Sequence, residues 1–238
     1  MKKYITIAAL LAAGTSFANA ETLTLGDADY TSTGGEAITL TSAQSAVTAV
    51  VELDVDALKG VMLAGSPLAK YTLVDFIDAD GSDIGLQTNY SSGGTSAIVY
   101  SGIYGSWNQS GAYKVGLESD KSIGFQTESF WENAVSVAAT LTYSYSTGTT
   151  ATFSVAYQDG AVETYGGEWN TGLKGQYCAF DSISFDTSIV EKSYVFNQVV
   201  TSDVAKSLSA AAVPEPSAFG MLAGLGALAL VASRRRRR

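Results

Sequence analysis

Short runs in which apolar and polar residues alternate recur along most of the chain between residues 36 and 200. Alternation with a period of two places successive side chains on opposite faces of a strand, and Gly, Asn, Asp and Ser separate the runs as they do at turns. About ten to thirteen strands can be placed in this way. Their spacing predicts an all-β body built as an antiparallel β-sandwich or a barrel.

Two hairpins and one helix can be placed within this pattern. In "TFSVAYQDGAVETY" the pair Asp159-Gly160 separates two alternating strands, which predicts a tight type I′ turn. Asp80-Gly81 predicts a similar turn in "VDFIDADGSDIGLQ". Residues 55–70, "VDALKGVMLAGSPLAK", favour one short helix that ends near Gly65 or Ser66-Pro67.

The order of these elements resembles a known fold family. A long early strand at 46–55 is followed by an insertion, by the paired strands of 134–165, and by a late strand at 179–189. This order resembles the concanavalin A-like jelly roll, in particular the laminin G-like group of secreted bacterial proteins, over most of residues 36–200. The resemblance implies paired strands with one buried side and one ligand-facing side. A different β-sandwich and a single-stranded β-solenoid are the alternatives.

Charge is distributed unevenly along the chain. The chain carries 14 basic and 23 acidic residues, but Lys2, Lys3 and Arg234–Arg238 account for half of the basic ones. The body between the two ends keeps seven lysines, no arginine and a net charge of about −15. Nucleic-acid binding is not expected, because neutralising phosphates requires clustered Lys and Arg.

Two residue counts exclude several kinds of site. The chain has no histidine, which excludes Ser-His-Asp and Cys-His catalysis, His-ligated zinc and a histidine pH switch. Cys178 is the only cysteine, so no disulfide can form within the chain. Its place among alternating apolar residues favours a small buried side chain over a reactive thiol.

The N-terminus has the pattern of a secretory signal peptide. Lys2 and Lys3 precede an apolar centre, and Ala18-Asn19-Ala20 fits the A-x-A cleavage pattern. We therefore expect Sec translocon export and cleavage after Ala20. A retained N-terminal helix is the alternative, although the apolar run is short for crossing a bilayer.

The C-terminus has three parts in order. Pro214, Glu215 and Pro216 form a stiff extended motif, residues 218–232 are nearly all apolar, and Arg234–Arg238 close the chain. The apolar run is short for a full span, but flanking residues can extend it by snorkelling. The arginines should stay cytoplasmic, which places the body on the export side.

These three parts resemble the PEP-CTERM sorting signal of Gram-negative bacteria, over Val213–Arg238. The resemblance implies cleavage near the Pro-Glu-Pro motif by an exosortase-type membrane protease. It also implies transient membrane anchoring and later delivery to the cell surface or the extracellular matrix. An ordinary C-terminal membrane anchor is the alternative.

The chain therefore divides into four expected parts. They are a signal peptide at 1–20, a β-sandwich domain at 21–201, a short helix or linker at 202–213, and the sorting signal with its transmembrane helix and arginine tail at 214–238.

One group of carboxylates raises the alternative of a glycoside hydrolase or lyase. "ELDVD" would place Glu52, Asp54 and Asp56 on one face of a strand. Retaining glycosidases need two carboxylates about 5–5.5 Å apart, and residues two apart on a strand approach that spacing. One jelly-roll glucanase family has a similar E-x-D-x-E arrangement, but here the last position is the shorter Asp56. An acidic, solvated strand face is the simpler interpretation.

Aspartates around the second predicted turn suggest calcium. "DADGSD" contains Asp78, Asp80 and Asp83, and alternating carboxylates with a glycine are typical of calcium loops. An EF-hand is not expected, because position 12 counted from Asp78 is Asn89 instead of Glu. The alternative is a hairpin turn with solvated acids.

Tryptophans beside amides suggest glycan binding. An aromatic face packs against the apolar side of a sugar ring while amides and carboxylates bind its hydroxyls. The candidate ligand-binding residues are Trp107, Asn108, Trp131, Trp169 and Asn170. A buried tryptophan at the edge of the sandwich is the alternative for each.

The sequence as a whole predicts an exported surface or matrix protein whose domain binds glycan or serves adhesion without catalysis. Polysaccharide is the expected ligand class. A ligand-free structural envelope protein is the remaining alternative.

Overall fold

The structure is a computed structural model that describes residues 23–63, 71–88, 97–103, 106–107, 113–115, 128–167, 173–175, 179–201 and 203–211. The predicted signal peptide with Ala18 and Ala20 lies outside these residues. So do the sorting signal with Pro214, Glu215 and Pro216, Cys178, and the candidate ligand residues Asn108, Trp169 and Asn170.

Two antiparallel sheets account for most of the described residues, as the sequence predicts. The back sheet has six strands in the order β1-β13-β3-β9-β10-β11, and the front sheet has seven, in the order β2-β12-β4-β5-β6-β7 with β8 also paired to β6. The strands are β1 (Tyr30–Thr33), β2 (Ile38–Gln44), β3 (Ala46–Leu53), β4 (Thr72–Ile77), β5 (Asp83–Thr88), β6 (Ala97–Ile103), β7 (Ser106–Trp107), β8 (Tyr113–Val115), β9 (Ala134–Ser144), β10 (Gly148–Tyr157), β11 (Val162–Gly166), β12 (Phe180–Phe185) and β13 (Val190–Phe196).

Three α-helices and one 3₁₀ turn complete the described part of the chain. They are the 3₁₀ turn at Leu25–Asp27, α1 (Val55–Leu63), α2 (Glu128–Asn133) and α3 (Asp203–Ala211). The helix expected within residues 55–70 is therefore confirmed as α1. Within the described ranges, none of these helices is long and apolar enough to cross a membrane.

The main core lies between the two sheets. Alternating residues of β9 and β10 point into it, and Tyr143 and Phe153 are fully buried there. Phe180 of the front sheet packs on Tyr143 in an edge-to-face arrangement, with 5.0 Å between the ring centroids. Burial of these large side chains between two sheets is the dominant stabilising contribution of a sandwich.

Both predicted Asp-Gly hairpins are present, but their turns are not type I′. A type I′ turn needs two central residues with positive φ, and among the described residues only glycines have positive φ. Gly160 (φ 87°) donates to the Tyr157 carbonyl at 3.0 Å, and Gly81 (φ 77°) donates to the Asp78 carbonyl at 3.0 Å. Each turn is therefore a type I turn followed by a glycine bulge.

The segment predicted as a helix or linker at 202–213 contributes α3, which packs on the outer face of the back sheet. Val204 and Ala205 are buried in a second apolar cluster with Val50, Tyr194 and Phe196. The domain therefore does not end at residue 201, because the first turns of α3 belong to its packed part.

Candidate functional site

An open pocket lies where the β10–β11 hairpin meets α2. This hairpin pocket has a volume of about 530 Å³ and is lined among others by Phe130, Asn133, Tyr157, Gln158, Asp159 and Glu163. Phe130 is buried at its base, whereas the amide and carboxylate side chains are exposed around it. The pocket combines one apolar floor with a polar rim, which is the usual construction of a small-molecule site.

Tyr157 and Glu163, which line the hairpin pocket, form a hydrogen-bonded cluster with Tyr165 of β11. Tyr165 Oη donates to Glu163 Oε2 at 2.5 Å, and Tyr157 Oη lies 2.9 Å from Tyr165 Oη and 3.3 Å from Glu163 Oε2. The carboxylate thus orients both phenol groups. Glu163 itself is exposed, so its second oxygen can accept hydrogen bonds from a ligand.

The pairing register of β10 and β11 explains why these three side chains meet. Phe153 pairs with Tyr165 and Val155 with Glu163, so Glu163 and Tyr165 share a face of β11. A β-bulge between Ala156 and Tyr157 interrupts the ladder with β9 at the end of the hairpin. Bulges re-aim side chains near sites, and Tyr157 here reaches across to Tyr165.

Burial keeps both phenol groups protonated. Desolvation is the largest cause that raises the pKa of Tyr165, and the hydrogen bond to Glu163 comes next. Desolvation also raises the pKa of Tyr157, and the nearby Glu163 charge adds to this. Both tyrosines are therefore neutral at physiological pH and can donate and accept hydrogen bonds.

Helix α2 holds the other wall in place. Gln158 donates from its backbone N–H to the Asn133 carbonyl and from Nε2 to the Glu132 carbonyl, both at 2.8 Å. Phe130 packs edge-to-face on Tyr157 with centroids 6.0 Å apart. These contacts connect helix and hairpin, so the pocket has a largely preformed shape.

The predicted tryptophan site is not assembled at the places that the structure describes. Trp131 is only 4% exposed and packs edge-to-face on Phe130 at 4.9 Å, so it belongs to the core and offers no face to a sugar. The prediction for Trp131 is therefore wrong, because α2 turns it inward. Trp107 lies in β7 opposite Gly102, and nothing further is described of its side chain.

The predicted calcium residues lie in and next to a hairpin turn. Asp78 Oδ1 accepts the backbone N–H groups of Asp80 at 3.0 Å and Ser82 at 2.9 Å. Asp83 begins the following strand β5. Among the described residues no group of three or more acidic, Cys or His side chains is arranged to hold a metal ion. Asp78, Asp80 and Asp83 are thus not brought together as ligands.

The predicted carboxylate trio does not share a strand face either. Strand β3 ends at Leu53, and Asp56 lies in the first turn of α1. Asp54 caps that helix, because its Oδ1 accepts the backbone N–H of Ala57 at 2.9 Å. Glu52 therefore lies in β3 as predicted, whereas the strand placement of Asp54 and Asp56 is wrong.

One carboxyl near this place does have a shifted pKa. Desolvation raises the pKa of Glu191, and the charges of Asp54 and Glu52 raise it further. Glu191 is exposed at the bulge of β13 opposite β3. Desolvation, together with like charges near the bulge, accounts for this raised pKa without a catalytic role.

Comparison with known proteins bears first on the C-terminus. Residues 212–237 match the family model of the PEP-CTERM protein-sorting motif, which confirms the predicted sorting signal, including Pro214, Glu215 and Pro216. Such a signal implies export through an exosortase-type system and transient anchoring in the membrane. No curated protein matches the chain.

Similarity to solved structures bears on the body. The chain is similar to peanut lectin in complex with a nine-residue peptide (PVIWSSATG), with 12% identity, a TM-score of 0.27 and coverage of 67% of this chain and 76% of that chain. A similarity this low carries no argument about ligand or site. The all-β antiparallel sandwich is established by the sheets themselves.

Proposed function

We propose that this chain is an exported surface or matrix protein whose β-sandwich binds glycan at the hairpin pocket without cleaving it. An exosortase-type protease sorts it through its C-terminal signal. The observation that carries the proposal is the cluster of Tyr157, Glu163 and Tyr165 beside the apolar floor of Phe130.

The chemistry of the pocket favours a neutral or basic polyhydroxy ligand. Glu163 and Asp159 give the rim a negative charge, which disfavours acidic polysaccharides. Neutral phenols and a carboxylate are complementary to sugar hydroxyls, which donate and accept at the same time. The apolar floor is complementary to the C–H face of a sugar ring.

Binding without cleavage is supported by the inventory of the pocket. Retaining and inverting glycosidases both require two carboxyl groups flanking the bond, one of them protonated. Asp159 Oδ1 already accepts the Ala161 backbone N–H at 2.9 Å as part of its turn. Asp159, the second carboxyl among the described lining residues, is thus held by its own turn.

A panel of neutral, basic and acidic polysaccharides tests this function on the full-length chain in mild detergent. We expect binding to neutral or amino-sugar polymers and at least about tenfold weaker binding by Glu163→Gln, because a charged hydrogen bond is lost. Glu36→Gln is the matched control, since Glu36 is an exposed glutamate that follows β1, the strand at the opposite edge of the back sheet from β11. Equal binding by both variants would overturn the assignment of the pocket.

The same panel measures catalysis and calcium dependence. We expect no new reducing ends after prolonged incubation. If the wild type released reducing ends and Glu163→Gln did not, the result would support a hydrolase instead. Repeating the binding with calcium and then with a chelator tests the calcium expectation. Loss of binding in chelator would show that a cation contributes, although the Asp78 turn does not assemble a metal-binding group.

Sorting has its own test. Mass spectrometry of the mature protein from a host with an exosortase-type protease should find a C-terminus near Pro214–Pro216. The same chain should keep its arginine tail in a host that lacks the protease. An intact tail in both hosts would support a permanent membrane anchor instead.

A further inference from the structure

A second cavity lies on the outer face of the back sheet, away from the hairpin pocket. It has a volume of about 230 Å³ and lies between β9, β10 and the segment that leads to α3. Its walls include Thr140, Thr142, Thr150, Thr152 and the segment 199–201. We call it the threonine pocket.

Four of these threonines form a two-by-two array. Thr142 pairs with Thr150 and Thr140 pairs with Thr152 across β9 and β10. Paired residues on one face of antiparallel strands have Cβ atoms about 4.5–5.5 Å apart. The four hydroxyl groups therefore stand close enough together for one small molecule to contact several of them.

Three of the four hydroxyl groups lack a partner among the described residues. The Oγ1 atoms of Thr140, Thr150 and Thr152 are buried, and none has a hydrogen-bond partner in the part of the chain that the structure describes. Thr140 and Thr152 are each only 4% exposed. Buried polar groups are nearly always paired in folded proteins, and each one left unpaired costs about 1–3 kcal/mol.

A partner can reach these hydroxyl groups from the cavity. Each threonine lines the cavity, and rotation about χ1 by one rotamer well brings the hydroxyl to the place of the methyl group. Val199, at the mouth, is 43% exposed and leaves the cavity open on that side. The cavity would hold about eight water molecules at about 30 Å³ each, and a volume of this size also suits one small sugar or polyol.

The walls select for a neutral molecule. No charged side chain belongs to the described lining, so nothing there balances an ionic ligand. Threonine hydroxyls donate and accept, and the methyl groups with Ala151 and Val200 supply apolar surface. A polyhydroxy compound has a surface of alternating hydroxyl and C–H groups, which is complementary to these walls.

We propose that the threonine pocket binds one small, neutral polyhydroxy molecule, either a monosaccharide or a linear polyol. The bound molecule pairs the hydroxyl groups of Thr140, Thr150 and Thr152. Because segment 199–201 forms one wall and continues into α3, occupation also stabilises the docked helix.

This site is separate from the hairpin pocket. Thr152 and Tyr157 are five positions apart on β10, about 17 Å along an extended strand. Thr152 faces outward, whereas Tyr157 packs against the core between the sheets. A failure of the proposed glycan site therefore leaves this proposal standing, and the reverse also holds.

The test measures binding of D-glucose, D-mannose, D-mannitol and xylitol to the full-length chain by calorimetry and thermal unfolding. At ten times the Kd of a binding compound, we expect the Tm to rise by about 3–5 °C. The triple variant Thr140→Val, Thr150→Val, Thr152→Val should lose this rise and the heat of binding. Thr152→Ser, which keeps a hydroxyl group, should retain both, and so should Glu163→Gln.

The stability of the triple variant without ligand gives the second readout. Valine has the shape of threonine without its hydroxyl group, so the ligand-free variant should be at least as stable as the wild type. The proposal is overturned if the variant is clearly less stable, since its hydroxyl groups would then already be paired by water. It is also overturned if the four compounds shift the Tm of wild type and variant equally.

Discussion

Thr48 is the residue on which docking of the C-terminal helix depends. Its hydroxyl group donates to the Gln198 carbonyl at 2.8 Å and accepts the Val200 backbone N–H at 3.1 Å. Thr142 donates to the same oxygen at 3.2 Å. Thr48 is fully buried in β3, so one side chain connects the centre of the back sheet to the segment that precedes α3.

Thr48→Val keeps the shape of the side chain and removes all three hydrogen bonds. The buried N–H of Val200 then has no acceptor, which alone costs about 1–3 kcal/mol. With the two weaker losses we expect the free energy of unfolding to fall by about 2–4 kcal/mol. For a domain of this size the Tm should fall by about 5–10 °C.

Two assays locate the effect. Urea denaturation gives the free energy of unfolding, and hydrogen exchange gives local opening. We expect the amides of residues 200–211 in Thr48→Val to exchange much faster, while those of β9 exchange faster only by the global loss of stability.

Thr140→Val is the matched control. It is the same substitution on the same face of the back sheet, but the Thr140 hydroxyl group has no partner among the described residues. We expect no loss of stability in that variant. Equal losses in the two variants would refute the reasoning, because hydrogen bonding would then not distinguish them.

Other features of the fold give further expected outcomes. Gly35→Ala should lower the free energy of unfolding by 2 kcal/mol or more, since φ is +70° and a Cβ would lie 2.6 Å from the facing backbone. In Gly60→Ala the new Cβ in α1 would meet nothing within 4 Å, so this variant should have a free energy of unfolding higher by up to about 1 kcal/mol. Urea denaturation that finds Gly35→Ala more stable than Gly60→Ala would contradict both predictions. The raised pKa of Glu191 means that the folded protein favours the protonated carboxyl group. This contribution to stability is therefore present at low pH and is lost as pH rises above the ordinary pKa range of a glutamate. Glu191→Gln should therefore raise the Tm by about 1 °C at pH 7 and not at pH 3, and a gain at both values would point to another cause. The pKa values of Tyr157 and Tyr165 are raised, so the fold favours their protonated phenol groups. Their contribution to stability is therefore fully present below the ordinary tyrosine pKa of about 10 and is progressively lost as pH rises above it. The alkaline fall in Tm should be shallower in Tyr165→Phe, and an unchanged fall would exclude this phenol as its source.

Alternation was sufficient to predict an all-β body, built as a sandwich or a barrel. In β9 and β10 apolar residues occupy every second position, and these are the residues that fill the core, including Tyr143 and Phe153. The intervening positions hold Thr, Ser and Ala, which predicts a solvated outer face. That face is instead buried, because α3 packs on it. The alternation of residues within β9 and β10 holds no information about contacts with a helix that lies so much later in the sequence.

The wrong site predictions share a cause, which is local secondary structure at element ends. "ELDVD" alternates like a strand, but Asp54 forms a helix cap and ends the alternation. The polar neighbours of Trp131 suggest a loop, whereas a helix there turns Trp131 and Phe130 inward. Asp-Gly is compatible with a type I′ turn and with a glycine bulge, and only the hydrogen bonds distinguish them.

The hairpin pocket was missed although a signal for it exists. Glu163 and Tyr165 alternate on β11, and pairing across the Asp159-Gly160 turn brings Tyr157 to the same end of the sandwich. Pairing the two predicted strands residue by residue would have placed the cluster on one face. The contribution of α2 was not accessible in this way, because Gln158 joins it through backbone carbonyls that any sequence has.

The most direct test of the central claim is hydrogen exchange of the full-length chain with and without the polysaccharide that binds best in the panel. We expect the polysaccharide to slow exchange of the amides at residues 157–165 and in α2 around Asn133, and to leave them unchanged in Glu163→Gln. Protection confined to another surface, such as the β1 edge, would contradict glycan binding at the hairpin pocket, and so would the absence of any binding polymer.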